Sequence, residues 1–148
     1  MYFVDRKKIE EHLVYLDNGV ALFKKSTFQT PVEKLGLERL HHVFIESMID
    51  VGNNLIDGFI MRDPGSYEDI IEILADEKVI PAENSKALKK IVLMRKPLMQ
   101  SYVDIDHAAI EENVRQNIEA IESFSTYVRT YLNEELGAVS AFIPEDYK

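Results

Sequence analysis

No cysteine occurs among the 148 residues, which excludes disulfides and thiolate metal sites. The same absence fits a reducing cytoplasm, which is the expected location. Long hydrophobic runs are missing too. None approaches the roughly 18 apolar residues of a membrane span. The first residues, Met1 to Lys8, hold no basic stretch followed by an apolar one, so no secretory leader is expected. With only five prolines and six glycines the chain has few breaks. No stretch alternates apolar and polar residues long enough to read as a strand. Rossmann and P-loop nucleotide sites therefore lack a scaffold, and their glycine motifs do not occur. There is no Gly-x-Ser-x-Gly elbow and no Cys nucleophile.

What remains is helical. A chain of this length fits one domain and buries a core unaided. Ile9, Leu13, Leu16, Val20 and Phe23 recur at three- and four-residue steps and predict a helix from Asp5 to about Lys25. Thr30-Pro31-Val32-Glu33 reads as a capping box with Pro at the first helical position. The helix it opens runs to between Gly58 and Met61, is apolar on more than one face, and is expected at the centre. Arg62-Asp63-Pro64-Gly65 is a turn, and Ser66 caps a short helix from Tyr67 to about Glu77. A fourth helix is expected from Ala82 to about Arg95, where Pro97 ends or kinks it. Asp106 caps the last, with Ile110, Val114, Ile118, Ile121, Phe124, Val128 and Leu132 as its stripe to about Asn133. The expected fold is an all-α, up-and-down bundle of four long helices and one short one over residues 1–135. Gly137 and Pro144 mark a C-terminal tail over residues 136–148. Surplus apolar surface on the second and fifth helices points to a homodimer.

The formal net charge is −9, which disfavours unspecific binding to nucleic acid. One stretch departs from this: Lys86, Lys89, Lys90, Arg95 and Lys96 lie together with no acid between them. A solvated helix face and a local phosphate-binding patch are both compatible with such a run. The histidines form no metal motif. His41 and His42 point about 100° apart on a helix and read as ordinary half-buried or surface residues. Glu46, Asp50, Asn53 and Asp57 form a polar stripe on the second helix, either solvated or lining a cleft. Glu46 and Asp50 are acids that in principle bind a divalent cation, but the Glu-x-x-His pairs of di-iron bundles are absent. No metal and no cofactor is expected.

Several of these pieces together resemble one family. Ile49-Asp50-Val51-Gly52-Asn53 in the second helix, Ser66-Tyr67 opening the third, Val79-Ile80-Pro81, and Arg95 through Asp106 resemble the HepT-like branch of the HEPN proteins, over about Asp5 to Leu132. The resemblance implies a small helical bundle that dimerises and pairs with a minimal nucleotidyltransferase antitoxin. It also implies a metal-independent RNase whose signature is Arg, four residues, His, one residue, Tyr. Arg95 matches the arginine, which acts on the scissile phosphate, and Tyr102 matches the tyrosine that accepts adenylyl groups. Gln100 stands at the histidine. Lys96 follows the arginine where Asn is frequent, Pro97 departs from the motif, and Asn54 stands where relatives often carry His. Asp50, Asn53 and Lys96 are the expected cleft-lining residues.

RNA cleavage through the 2′-OH needs a group that takes and gives a proton near neutral pH, and glutamine does not titrate there. Weak or absent RNase activity is therefore expected. Three readings stay open at the level of sequence. One is a HepT-like protein that still binds a nucleotidyltransferase, RNA or nucleotide through Arg95 and Tyr102. The second is an RNase using another acid–base group, such as His107 or a residue of the second helix. The third is a non-catalytic interaction dimer.

Overall fold

The computed structural model describes residues 4–137, and among them every regular element is helical. The elements are α1 (Arg6–Lys25), α2 (Pro31–Gly58), α3 (Tyr67–Asp76), α4 (Ala82–Val92), α5 (Arg95–Gln100) and α6 (His107–Leu136). Of the expected tail, only Leu136 and Gly137 are described. Leu136 is the buried last residue of α6, so the helix runs past the expected stop at Asn133.

The caps form where the sequence places them. The Asp5, Ser66 and Asp106 side chains accept backbone N–H groups three residues on, at 3.0 to 3.1 Å. At α2 the capping box is complete: Thr30 Oγ1 accepts from the Glu33 N–H, and Glu33 Oε1 accepts from the Thr30 N–H. These bonds, with one from the Thr27 hydroxyl, hold the Glu33 carboxyl down at about 2.

Helix α2 touches each of the other five helices. Its buried residues include Leu37, His41, Phe44, Ile45, Met48, Val51 and Leu55, and from His41 onward only one stripe faces solvent. That confirms it as the central helix. Phe23 of α1 stacks on Phe28 at 5.3 Å and meets Phe44 of α2 edge-on at 6.4 Å, closing one end of the core. Gly52 lets α3 approach: a Cβ there would stand 2.5 Å from Ile70 Cγ2. Helix α6 is tied to α1 by Arg129, which bonds Glu10 and Asp17, and by an ion pair between Lys24 and Glu122.

The element count differs from the sequence reading at Pro97. Helix α4 stops at Val92 rather than Arg95, and a separate six-residue helix, α5, follows. Pro97 is the third residue of α5, where a backbone N–H would have no partner within the helix. The ring therefore starts a helix instead of ending one. The Pro97 carbonyl accepts from Ser101 N at 2.9 Å, and Leu98, the buried residue of α5, anchors it to the core.

Candidate functional site

Arg95 is the first residue of α5 and reaches back to the polar stripe of α2. Its Nε donates to Glu46 Oε1 at 2.8 Å, and its guanidinium lies over the Tyr67 ring, 4.3 Å from the centroid. The side chain is half-buried. Glu46 holds the Arg95 charge firmly, raising its pKa above the ordinary arginine value chiefly through the hydrogen bond. Among the described residues only Nε is engaged by an acceptor, so both η nitrogens remain available as a planar fork. Three elements thus position one cation: α5 carries it, α2 pins it, and the first residue of α3 backs it.

The rest of the motif lies at the surface. Gln100 ends α5, and Tyr102, 68% exposed, follows in the turn after it. Neither side chain makes a hydrogen bond or ion pair among the described residues. Lys96 is also exposed. Leu93, Met99, Tyr102 and Val103 add exposed apolar surface around this segment, Val103 reaching 88%.

The polar stripe divides rather than converging. Glu46 faces Arg95, whereas Asp50 Oδ2 lies 3.7 Å from His12 Nε2 on α1. Asn53 is exposed and engages no partner among the described residues. Glu46 and Asp50 therefore have different protein partners, and no group of three or more His, Cys, Asp or Glu among the described residues is arranged to hold a metal. The basic run is partly neutralised as well. Lys89 pairs with Glu72 and Arg95 with Glu46, leaving Lys86, Lys90 and Lys96 exposed.

The histidines separate by environment. His41 is fully buried, and neither ring nitrogen has a well-formed hydrogen bond. Burial lowers its pKa to about 4, an effect the Ile91 backbone offsets only in part. It is a neutral core residue. His107, the first residue of α6, sets Nε2 2.7 Å from Glu38 Oε2 on α2. A carboxylate only accepts, so Nε2 carries a proton, and Nδ1 is the ring nitrogen left for a second partner. His42 is half-buried and has no hydrogen-bond partner among the described residues.

Sequence reading placed Arg95, Gln100 and Tyr102 on one segment but did not assign Glu46 and Tyr67 as partners of Arg95, nor Glu38 as partner of His107. Sequence spacing places Glu38, His42 and Glu46 at four-residue steps on one helix, but nothing in sequence says which distant cation each acid meets. An open groove of about 600 Å³ lies elsewhere, between α1 and the first half of α2, lined by Tyr15, Leu22, Phe28, Arg39 and Val43 among others.

Comparison with known proteins bears on this arrangement. The family model described as "Ribonuclease HepT-like" matches residues 9–128. A Bacillus subtilis (strain 168) protein named "Putative RNase YutE" is 46% identical over 143 residues, covering 96% of this chain and 99% of that protein. The solved structure of the cytosolic protein YutE from Bacillus subtilis superposes with a TM-score of 0.91 at 44% identity, over 93% of this chain and 96% of that one. A tri-AMPylated Shewanella oneidensis HEPN toxin in complex with an MNT antitoxin shares the fold, with a TM-score of 0.73 at 20% identity over 82% of this chain and 96% of that one. No helix of the described residues is long and apolar enough to cross a membrane. The family match over residues 9–128 and the 46% identity over nearly the whole chain place the chain in the HepT-like ribonuclease family.

Proposed function

We propose that this chain is the toxin-type member of a toxin–antitoxin pair, a HepT-like ribonuclease slowed by the exchange of the motif histidine for Gln100. The observation that carries this reading is the presentation of Arg95. Glu46 fixes Nε and Tyr67 backs the guanidinium, while neither η nitrogen is engaged by a protein acceptor among the described residues, which leaves two donors for the oxygens of a phosphate. Gln100 and Tyr102 lie on the same surface segment. Gln100 hydrogen-bonds a phosphate but moves no proton, so Arg95 keeps the electrostatic part of catalysis and loses the acid–base part.

Tyr102 is the proposed acceptor of adenylyl groups from a minimal nucleotidyltransferase antitoxin. Its exposure supports this, as does the tri-AMPylated toxin of similar fold. The apolar surface of Leu93, Met99 and Val103 beside it is the proposed contact between two copies, which sets two Arg95 segments against one cleft.

The test restores the proton carrier. Gln100→His is expected to raise cleavage of a single-stranded RNA oligonucleotide by about 10²–10⁴-fold, dependent on Arg95. Intact mass after incubation with ATP and a minimal nucleotidyltransferase is expected to rise in the parent protein and not in Tyr102→Phe. If Gln100→His stays silent and the mass never changes, the chain is a non-catalytic interaction bundle instead.

A further inference from the structure

Two polar contacts clamp the start of α5 and of α6 to α2: Arg95 to Glu46, and His107 to Glu38. Glu38 and Glu46 are eight residues apart, about 12 Å along the helix. His42 stands midway, four residues from each, so its Cβ shares their face at about 5–6 Å from the Cβ of either acid. It is half-buried, reachable from solvent, and engages no protein partner among the described residues. The two acids beside it are occupied by their own cationic or imidazole partners. We propose that His42 is the acid–base residue of this site, taking the role that Gln100 cannot fill, with His107 as the second proton carrier. This rests on the ribonuclease reading of Arg95 and adds the residues that move the protons.

The row then reads guanidinium, imidazole, imidazole along one face of α2. The Arg95 η nitrogens hold the non-bridging oxygens of the phosphodiester. His42 removes the proton of the 2′-OH, and the 2′-oxygen bonds to phosphorus. The bond from phosphorus to the 5′-oxygen breaks, and that oxygen leaves with the proton from Nδ1 of the His107 imidazolium, whose Nε2–H stays on Glu38. The products are a 2′,3′-cyclic phosphate and a 5′-hydroxyl. Solvent returns the two imidazoles to their starting states, and no metal or redox partner enters the balance. Glu38 orients the His107 ring by accepting from Nε2, as a carboxylate does for a catalytic imidazole. His42 has no such carboxylate contact, and its weaker positioning fits a slow reaction.

The experiment follows cleavage of a defined single-stranded RNA oligonucleotide by the full-length protein and by Arg95→Ala, His42→Ala and His107→Ala, each checked for its helical thermal melt. The parent protein is expected to cleave slowly in an Arg95-dependent way and to leave 2′,3′-cyclic phosphate ends. His42→Ala is expected to lose about 10²–10⁴-fold of that rate, and added imidazole to restore part of it. A merely structural role for His42 gives no imidazole rescue and overturns the assignment. Arg95-dependent cleavage that survives His42→Ala overturns it as well. Gln100→His separates the two levels. If it cleaves while the parent does not, the His42 assignment falls and the ribonuclease reading of Arg95 stands. If neither cleaves, both fall.

Discussion

Arg95 and His41 show how the same interior treats two cations in opposite ways. Arg95 is half-buried but keeps its charge, because Glu46 donates a full negative charge and Tyr67 a π face. His41 is fully buried with no carboxylate beside it, so the neutral ring is favoured and its pKa falls to about 4. The unfolded chain protonates this ring near 6.5, whereas the native state resists until about 4. The stability it contributes is therefore complete above about pH 6.5 and drains as pH falls toward 4, by up to about 3 kcal/mol. Glu33 and Asp69, whose pKa values lie near 2, enter only as their unfolded counterparts protonate, below about 4.5. Denaturant titrations between pH 7 and 4.5 are expected to show a loss that His41→Leu removes. An unchanged slope in that variant would assign the loss to other groups.

At the scale of elements, α2 and α3 approach closely at Gly52, where a Cβ would stand 2.5 Å from Ile70 Cγ2. The α3 N-terminus carries Tyr67, so this contact also places the ring under Arg95. Gly52→Ala removes a helix-interior glycine, a gain of about 1 kcal/mol, but drives a Cβ into the stiff, buried Ile70. Overpacking of this kind costs about 1–3 kcal/mol, so a net loss of stability is expected, with a lowered midpoint in urea unfolding. A raised midpoint would mean that α3 shifts freely. The α2 helix itself should persist in the variant, since its capping box and its contacts with α1 are untouched.

For the whole molecule, charge and apolar exposure divide the surface. The chain is acidic overall, yet the surface at α5 shows Lys96, the Arg95 fork and a run of exposed apolar side chains. Leu93, Met99 and Val103, each about half exposed or more, are costly to leave in water and form the proposed contact between two copies. Sedimentation of the parent protein is expected at twice the 17.1 kDa chain mass, and of Met99→Asp combined with Val103→Asp at the chain mass itself. Retention of the dimer in the double variant would move the interface elsewhere, to the groove between α1 and α2 or to another face.

The helices were legible because their signals are local. Asp5, Thr30, Ser66 and Asp106 cap where their side chains meet N–H groups three residues away, and the three-and-four spacing of Ile9 to Phe23 or Ile110 to Leu132 follows from 3.6 residues per turn. The arginine, glutamine and tyrosine of the motif were legible for the same reason, being seven residues apart in one segment. Pro97 was misread because a proline is unfavourable inside a helix yet harmless in its first turn, and only the chain's turn at Leu93 and Met94 decides which of the two it meets. The pairings of Glu46 with Arg95 and Glu38 with His107 span 49 and 69 residues. Sequence by itself determined the class of the fold, its caps and the composition of the motif. Tertiary structure alone decided which acid of α2 meets which cation, because that depends on how α5 and the start of α6 cross α2, and no local spacing encodes the crossing.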